Sequence, residues 1–473
     1  MTDAAPELPL DLAWVNTTAP PRLAALRGRV VLLWFWTFDS IACWNTAPAL
    51  RRLEDKYHDG LCVIGVHCPR FPHQCAPEAV LHAVNRLQVR HAVASDPAAR
   101  VWRAYGIEAW PSMALVDAEG RLASIHAGEG RAAEVEARIE ALLEEAVLHD
   151  VRVFEPSAPA LRPEPRTALQ FPSGLATSER LLYVADSGHH RVLECQPDGR
   201  VLRTFGSGNA GFADGSASQA CFDDPRGLAR AGQALYVADR ANHALRRIDL
   251  ASGAVATVLG TGRRGRSRPQ HAPARQTVLD TPVGVAVAGD HVVVAVAGQN
   301  QVWRLDPASG TVSVLAGSGE AGLEDGPGPE ARLAQPSALA VLGRHLAVAD
   351  AAASAVRWID LDSGRVTTAV GSGLFDWGDA NGGRDVARLQ HPLGLAADMH
   401  GTLYVADSYN GMIRLLSRRS GELRRLRLDY RLDEPHALAL SGGLLWIANT
   451  NLHEIACVDL GAGSVRRVPV AEG

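Results

Sequence analysis

The stretch that decides the fold is Leu182-Tyr183-Val184-Ala185-Asp186-Ser187-Gly188-His189-His190-Arg191, which returns in modified form to the end of the chain. Five further copies are recognisable, at residues 235–239, 293–296, 347–350, 403–407 and 446–449. The copies are about 43 to 57 residues apart, a period typical of propeller and solenoid repeats. More than half of the chain is therefore expected to be one repeated scaffold.

Each copy follows a proline and a run of small apolar residues. These runs lie at 172–176, 225–229, 282–286, 336–340, 392–396 and 435–439. The proline-led run, the strand ending in Ala-Asp and two further apolar segments predict four strands per repeat, with pairs such as Asp198-Gly199 at the turns. Six such units predict an all-β six-bladed propeller over residues 171–473, because radial repetition protects the edges of the sheets.

The first part of the chain has a different pattern. Residues 30–36 and 61–67 are continuous apolar runs, as expected of strands buried on both faces. Residues 48–57, 77–87, 98–105 and 132–148 have helical spacing, and residues 112–126 have the pattern of a hairpin. We interpret residues 1–148 as an α/β domain, and the proline-containing residues 149–170 as a linker to the propeller. The fold class is thus multidomain.

Composition and charge restrict the function. The formal net charge of −5 over 473 residues indicates neither a nucleic-acid partner nor a membrane anchor. The first thirty residues lack the basic start and apolar core of a secretory signal, and the seven cysteines suggest reduced thiols. We therefore expect a cytoplasmic protein, without a cofactor.

The order of elements in the first 148 residues resembles a thioredoxin-like domain of the redoxin branch. Its marks are Trp34-Phe35-Trp36 before a cysteine-containing turn, Pro48 in the next helix, and Trp110-Pro111 before a hairpin. The paired Pro-x-Gly-Leu-Ala and Tyr-Val-Ala-Asp segments resemble NHL repeats. The whole chain thus resembles the NHL-repeat-containing protein 2-like family, in which a thioredoxin-like domain precedes a six-bladed propeller. The resemblance implies a cis peptide bond before Pro111, facing the redox turn.

The redox turn lacks the cysteine that would attack a disulfide. A dithiol oxidoreductase needs Cys-x-x-Cys spacing, but the spacing here is Ser40-Ile41-Ala42-Cys43, and serine cannot exchange a disulfide. The resemblance implies Cys-Cys-x-x-Cys, so that Asp39 and Ser40 replace cysteines. The candidate catalytic residues are Cys43, Ser40 and Pro111, as a vestigial site. Cys43 is either a small buried apolar residue, which we favour, or a working thiol.

Other cysteines offer weaker alternatives. Cys68 and Cys75, with His67 and His73 beside them, have an unusual spacing for a metal site, and we predict no metal. A disulfide from Cys43 to Cys68 or Cys75 stays open, because the sequence gives no distances.

Polar residues in the propeller provide candidate binding residues. The aspartates Asp186, Asp239, Asp350 and Asp407 are expected to accept hydrogen bonds from amides just downstream in each repeat. The long loops between repeats are expected to bind an unidentified protein or other ligand. Two loop arginines and four turn residues are the candidates: Arg263, Arg264, His189, His190, His243 and Asn410.

The sequence therefore favours a binding or scaffold protein, non-catalytic or weakly redox-active. The alternative is a thiol-disulfide oxidoreductase that uses Cys43, so enzyme activity stays open. A hydrolase or lyase site in the propeller channel has no support, because the repeats show no cluster of acid, base and metal ligands.

Overall fold

The computed structural model of this chain describes residues 4–153 and 159–472. Residues 1–3, residues 154–158 inside the predicted linker, and Gly473 lie outside the described residues. The chain divides into two compact units, Met1–Pro165 and Arg166–Gly473, and the boundary falls inside the segment predicted to be the linker. Among the described helices, none has the length and hydrophobicity needed to span a bilayer.

The first unit has the thioredoxin-like fold. Its described strands are β1 Ala13–Val15, β2 Val30–Trp36, β3 Leu61–His67, β4 Ala92–Ser95, β5 Ser112–Val116 and β6 Leu122–Ala127. Its described α-helices are α1 Ile41–Lys56, α2 Pro77–Arg86, α3 Arg100–Ala104 and α4 Ala132–Leu148. The strand order is β1-β4-β3-β2-β5-β6, with β2, β3 and β4 parallel. Every residue of β2 and β3 is buried, as their continuous apolar runs predict.

Two elements of this unit differ from the sequence-based prediction. Helix α1 begins at Ile41 rather than at Pro48, because the Ser40 side chain accepts a hydrogen bond from the Cys43 N–H and caps the helix, which then continues through Pro48. Strand β4 was not predicted. It contains only four residues, and Ser95 is the last of them.

The described part of the predicted linker up to residue 165 packs against the first unit. The Val153 N–H donates to the Gly28 carbonyl at 2.8 Å, and the Ala160 N–H donates to the Asn16 carbonyl at 3.0 Å. Glu164 lies 2.8 Å from His82 Nδ1. Residues 159–165 are therefore held in place rather than free.

The second unit is a propeller of six antiparallel blades in the described residues. Blade 1 consists of β7 Pro172–Thr177, β8 Leu182–Asp186, β9 Arg191–Cys195 and β10 Arg200–Phe205. Blade 2 consists of β11 Pro225–Ala231, β12 Ala234–Asp239, β13 Ala244–Asp249 and β14 Val255–Leu259. Blade 3 follows the short β15 Ala272–Pro273 and consists of β16 Pro282–Ala288, β17 His291–Val296, β18 Gln301–Asp306 and β19 Thr311–Ala316.

Blades 4 to 6 repeat the pattern. Blade 4 consists of β20 Pro336–Leu342, β21 His345–Asp350, β22 Ala355–Asp360 and β23 Val366–Val370. Blade 5 consists of β24 Gly394–Ala397, β25 Thr402–Asp407, β26 Met412–Ser417 and β27 Leu423–Arg425. Blade 6 consists of β28 Pro435–Ser441, β29 Leu444–Asn449, β30 Glu454–Asp459 and β31 Ser464–Val468, and β32 Ala471–Glu472 follows it. Neighbouring blades share apolar clusters, such as the one that joins Leu438 and Ile447 of blade 6 to Tyr404 of blade 5. The predicted fold class is confirmed for both units.

Glycines let the innermost strands approach one another closely. A Cβ atom added to Gly174 would lie 1.9 Å from the Arg226 carbonyl oxygen of the next blade. The same position is Gly227, Gly284 and Gly394 in three other blades, where an added Cβ would lie 2.4 to 2.6 Å from a carbonyl oxygen of the next blade. In these four blades the glycine of the Pro-x-Gly segment therefore leaves room for a carbonyl of the next blade, whereas Ala338 and Ala437 occupy the position in blades 4 and 6.

The outer strands differ in what covers their free edge. Blade 1 gains β32, parallel to β10, and blade 3 gains β15, antiparallel to β19. In blades 2, 4 and 5 a loop glycine bridges the outer strand, in the pairs Gly215–Val255, Gly326–Val366 and Gly382–Leu423. Blade 6 is the exception, because no residue in the described ranges pairs with the outer edge of β31.

Candidate functional site

The vestigial redox turn precedes helix α1. Cys43 is fully buried, whereas Ser40 is partly exposed at the helix N-terminus. Burial, together with the negative charges of Asp39 and Glu129, raises the pKa of the Cys43 thiol to about 12. A thiol with this pKa is protonated at neutral pH, so Cys43 is a poor nucleophile.

Asp39 is tied into a buried polar network. Its Oδ1 accepts hydrogen bonds from Thr37 Oγ1 at 2.5 Å and from Gln74 Nε2 at 2.8 Å. Its Oδ2 lies 3.6 Å from an Arg70 guanidinium nitrogen. These contacts stabilise the turn with a carboxylate, where the family pattern has a thiol.

His67 is an aromatic packing group next to this turn. Its ring stacks on Phe38, with centroids 5.2 Å apart, and meets Trp36 edge-on at 5.2 Å. Burial lowers the pKa of His67 to about 3, so the ring is neutral at neutral pH and supplies no positive charge to a thiolate.

The residues considered for a metal site are not brought together. Cys68 is buried and Cys75 is exposed. Within the described ranges, no three of Cys68, Cys75, His67 and His73 lie close enough to share one ion. The cysteines of the described chain form no disulfide, and the thiol of Cys68 also has its pKa raised by burial.

Pro111 follows a cis peptide bond, as the resemblance implied. The preceding Trp110 packs on Trp102, with ring centroids 4.7 Å apart, and Ser112 Oγ donates to the Ala109 carbonyl at 2.8 Å. The unit therefore retains the proline of a redoxin-like site and the buried second cysteine, but has no thiol at Ser40.

The recurring aspartates of the propeller are structural. Each accepts a hydrogen bond from a backbone N–H upstream rather than downstream, which corrects the sequence-based expectation. The donor and acceptor pairs are Gln170 and Asp186, Asp223 and Asp239, Ala334 and Asp350, and Gln390 and Asp407. Asn449 accepts from Asp433 in the same way, which explains why an amide serves in blade 6.

A buried arginine completes this arrangement in three blades. Arg246 donates to Asp239 at 2.7 Å and to the loop residue Asp214 at 2.8 Å. Arg357 joins Asp350 to Asp325, and Arg414 joins Asp407 to Asp379, in the same manner. The loop acids therefore pair with arginines of their own blades. They are not a row of free carboxylates.

Blade 3 shows how the network is replaced. Val296 takes the aspartate position and Trp303 takes the arginine position, so that neither charge is buried alone. The Asp280 N–H donates instead to Gln299 Oε1 at 3.0 Å. The aspartate and the arginine are thus lost together.

Residues in the turn after the second strand join each blade to the next. His190, His243 and His453 each accept, through Nδ1, a hydrogen bond from a backbone N–H at the start of the next blade. Asn300 Oδ1 and Ser354 Oγ do the same in blades 3 and 4. His453 bonds to Phe171 and so closes the ring between blades 6 and 1. His190 and His243, predicted as binding residues, make these contacts between blades, and their role in binding a partner stays a prediction.

Replacing His243 by alanine is expected to destabilise the propeller by about 1–3 kcal/mol, because the buried Thr281 N–H loses its acceptor. Burial lowers the pKa of His243 to about 4, so Nδ1 is free to accept at neutral pH. His243→Asn should recover part of the loss, since Asn300 does the same work in blade 3. Urea unfolding measures both variants, and equal losses for Ala and Asn would contradict the assignment.

The other predicted binding residues have different surroundings. His189 lies 2.8 Å from Asp186, and Asn410 donates to Asp407 at 2.9 Å. Arg264 lies 3.1 Å from the buried Asp280, whereas Arg263 is exposed. A role of these residues in binding a partner stays a prediction.

The structure also brings together a polar cluster that sequence reasoning missed. Arg226 and His436, from blades 2 and 6, meet with Nη1 and Nδ1 3.3 Å apart, and His436 lines a small axial cavity of about 90 Å³. Asp224 lies 2.8 Å from Arg226, and Glu434 lies 3.2 Å from His436. The available signal was the variable residue of the Pro-x-Gly segment, which is arginine and histidine in these two blades. The four groups pair with one another.

Comparisons with known proteins agree with this architecture. A Redoxin family model matches residues 4–143, and an NHL repeat model matches residues 169–195. The chain is 33% identical to NHL repeat-containing protein 2 of Gallus gallus over 524 aligned residues, which cover 98% of this chain and 71% of that protein. It is 33% identical to protein SUPPRESSOR OF QUENCHING 1, chloroplastic, of Arabidopsis thaliana, over 97% of this chain and 47% of that protein. The thiol-disulfide oxidoreductase YkuV of Bacillus subtilis is 26% identical over 30% of this chain and 94% of its own length.

Proposed function

This chain belongs to the family of NHL repeat-containing protein 2, and from that premise we propose that it is a binding protein whose redoxin-like domain does not exchange disulfides. The propeller presents the binding surface, and the redoxin-like unit serves as a second folded module. The partner is a protein, because long loops on a rigid scaffold suit protein recognition.

The observation that carries this proposal is the chemistry of the redox turn. Ser40 stands where an attacking thiol is needed, and Asp39 is held by Thr37 and Gln74. Cys43 is fully buried with a pKa of about 12, so it is not a thiolate at neutral pH. A domain in this state keeps the fold and lacks both requirements of disulfide exchange.

An insulin-reduction assay tests the proposal. The wild-type protein is expected to reduce insulin at the uncatalysed rate, and Cys43→Ser should give the same rate because Cys43 does no chemistry. Thermal unfolding of both proteins provides the control for folding. A wild-type rate clearly above background that disappears in Cys43→Ser would overturn the proposal.

The second candidate is a thiol-disulfide oxidoreductase that uses Cys43. It is favoured by the Redoxin match, by the cis bond before Pro111 and by the likeness to the oxidoreductase YkuV over the first unit. Such an enzyme would need a resolving thiol from another molecule, since Ser40 cannot provide one. The same assay, run with glutathione as the external thiol, separates this candidate from the first.

A cytoplasmic location is part of the proposal. Its support is that the seven cysteines, all within the described ranges, are not joined in disulfides, as suits a reducing compartment. Fractionation with a tagged full-length protein tests the location.

A further inference from the structure

A dense group of arginines lies on the outer part of blades 5 and 6. The segment from 418 to 431 holds six arginines and only two acidic residues, although the whole chain has a net charge of −5. All six arginines are exposed: Arg418, Arg419, Arg424, Arg425, Arg427 and Arg431. Two more, Arg466 and Arg467, are exposed on β31 of the adjacent blade. The overall charge hid this local excess.

Some of these arginines have no acidic partner. Within the described ranges, no carboxylate lies at ion-pair distance from Arg419, Arg425 or Arg427. Arg424 pairs only with the exposed Glu422, at 2.7 Å, and such surface pairs contribute little. The positive charge here is therefore available to a negatively charged partner, unlike that of Arg264, which lies against Asp280.

Part of this charge borders partly buried apolar side chains between blades 5 and 6. Arg424 lies opposite Leu415, which packs against the cluster between blades 5 and 6, so Arg424 faces blade 6. Arg467 lies opposite Ala456 of the same cluster and faces blade 5. We call this feature the arginine groove; its rim is Arg424, Arg427, Arg431 and Arg467, and its floor is Leu415, Leu426, Leu428, Tyr430 and Val465. Two rim arginines already have acidic partners, because Arg431 lies 3.0 Å from Asp433 and Arg467 lies 3.2 Å from Glu454, which also accepts from the Tyr430 hydroxyl. The rim charge open to a partner is therefore mainly that of Arg424 and Arg427.

The groove runs beside the one blade edge that nothing in the described chain covers. In the other five blades a strand or a loop glycine pairs with the outer strand, whereas β31 has none. A free strand edge exposes backbone N–H and C=O groups that can pair with an added strand. Arg466 and Arg467 are consecutive, so they point to opposite faces of blade 6. Arg466 donates to the Pro197 carbonyl at 3.1 Å and Arg467 pairs with Glu454 at 3.2 Å, so the backbone edge itself, rather than these two charges, is what β31 offers to a partner.

We propose that the outer edge of β31 and the arginine groove bind an extended, acidic segment of a partner protein, which adds to blade 6 as a fifth strand. The proposal rests on the proposed binding function and names the surface and the chemistry of its partner. Alternate side chains of the added strand would carry carboxylates to the arginines and apolar groups to the floor of the groove. A protein segment suits this surface better than a nucleic acid, because an added strand pairs with both the N–H and the C=O groups of the free edge and its apolar side chains cover the floor.

The probe is a fluorescent peptide of about ten residues that alternates glutamate and valine, titrated with the full-length protein. Binding is expected for wild type and should be about tenfold weaker for Arg424→Glu/Arg427→Glu, because two rim charges are reversed. The matched control is Arg180→Glu/Arg365→Glu, which makes the same charge change at exposed arginines in turns of blades 1 and 4. That control should bind like wild type.

Two further probes separate strand addition from simple attraction of charge. An equally charged peptide with N-methyl groups on alternate residues should bind about tenfold more weakly, because it cannot pair with the free edge. Equal binding of the two peptides, or equal weakening by the control variant, would overturn the proposal. Tighter binding of a single-stranded oligonucleotide that displaces the peptide would also overturn it, in favour of a nucleic acid. Failure of the proposed function is seen separately, as insulin reduction that depends on Cys43.

Discussion

Ser40→Cys is expected to raise insulin reduction by on the order of tenfold or more above wild type, because it restores Cys-x-x-Cys spacing on a scaffold that keeps its other parts. Ser40 is the N-cap of α1 and is partly exposed, so a thiol at this position lies at a helix N-terminus, where thiolates are stabilised. Cys43 is buried behind it, in the position of the resolving thiol.

The matched control for this gain is Ser40→Cys/Cys43→Ala, which keeps the new thiol and removes the one that resolves the mixed disulfide. It should form stable mixed disulfides with insulin and turn over no faster than wild type. If Ser40→Cys alone stays at background, the missing thiol is not the reason for inactivity. The Asp39 network would then be the next cause to test.

Gly174→Ala is expected to destabilise the propeller by about 3 kcal/mol or more, because overpacking against rigid backbone is costly. The added Cβ would lie 1.9 Å from the Arg226 carbonyl oxygen, and a backbone atom cannot move aside as a flexible side chain can. Moving it would shift blade 2 relative to blade 1. Urea unfolding followed by far-ultraviolet circular dichroism measures the loss.

Gly373→Ala is the control for Gly174→Ala. Gly373 lies in a loop with no heavy atom within 4 Å of an added Cβ, and its substitution should change stability by less than about 0.5 kcal/mol. Equal effects of the two substitutions would contradict the assignment of the loss at Gly174 to contact between blades, since the entropy effect of Gly→Ala is stabilising.

The repeats made the fold predictable, whereas the ends of helix α1 and the existence of the short strand β4 could not be predicted. The proline-led runs and the Tyr-Val-Ala-Asp segments recur often enough to specify six blades. Helix α1 was predicted to start too late, because the capping role of Ser40 depends on the geometry of the turn rather than on periodicity. Strand β4 was missed because its four residues are too few to show a pattern.

The chemistry of the propeller was predicted less completely. The hydrogen bonds of Asp186 and Asp239 run to amides upstream, and only the folded blade shows which amides point at the carboxylates. A comparison of repeats could have found the joint loss of aspartate and arginine in blade 3, because Val296 and Trp303 occupy the positions of Asp239 and Arg246. The pairing of Arg226 with His436 could not be found this way, since these residues lie on blades far apart in the sequence.

The arginine groove was overlooked for a different reason. The net charge of the whole chain does not show a local excess of arginines, because acidic residues elsewhere offset it. In addition, some arginines between 418 and 431 alternate with leucines, a pattern that is also typical of an ordinary outer strand. These arginines indicate a binding surface because they lie near the free edge of β31. That edge is recognised as uncovered only when all six blades are compared.

The reactivity of Cys43 in the folded protein tests the central claim most directly. The full-length protein is treated with iodoacetamide at neutral pH, without denaturant, and each cysteine is quantified by peptide mass spectrometry. The exposed Cys75 should be alkylated, while the buried Cys43 stays unmodified until urea is added. Alkylation of Cys43 at the same rate as Cys75 in the native protein would show an accessible thiolate and contradict the account.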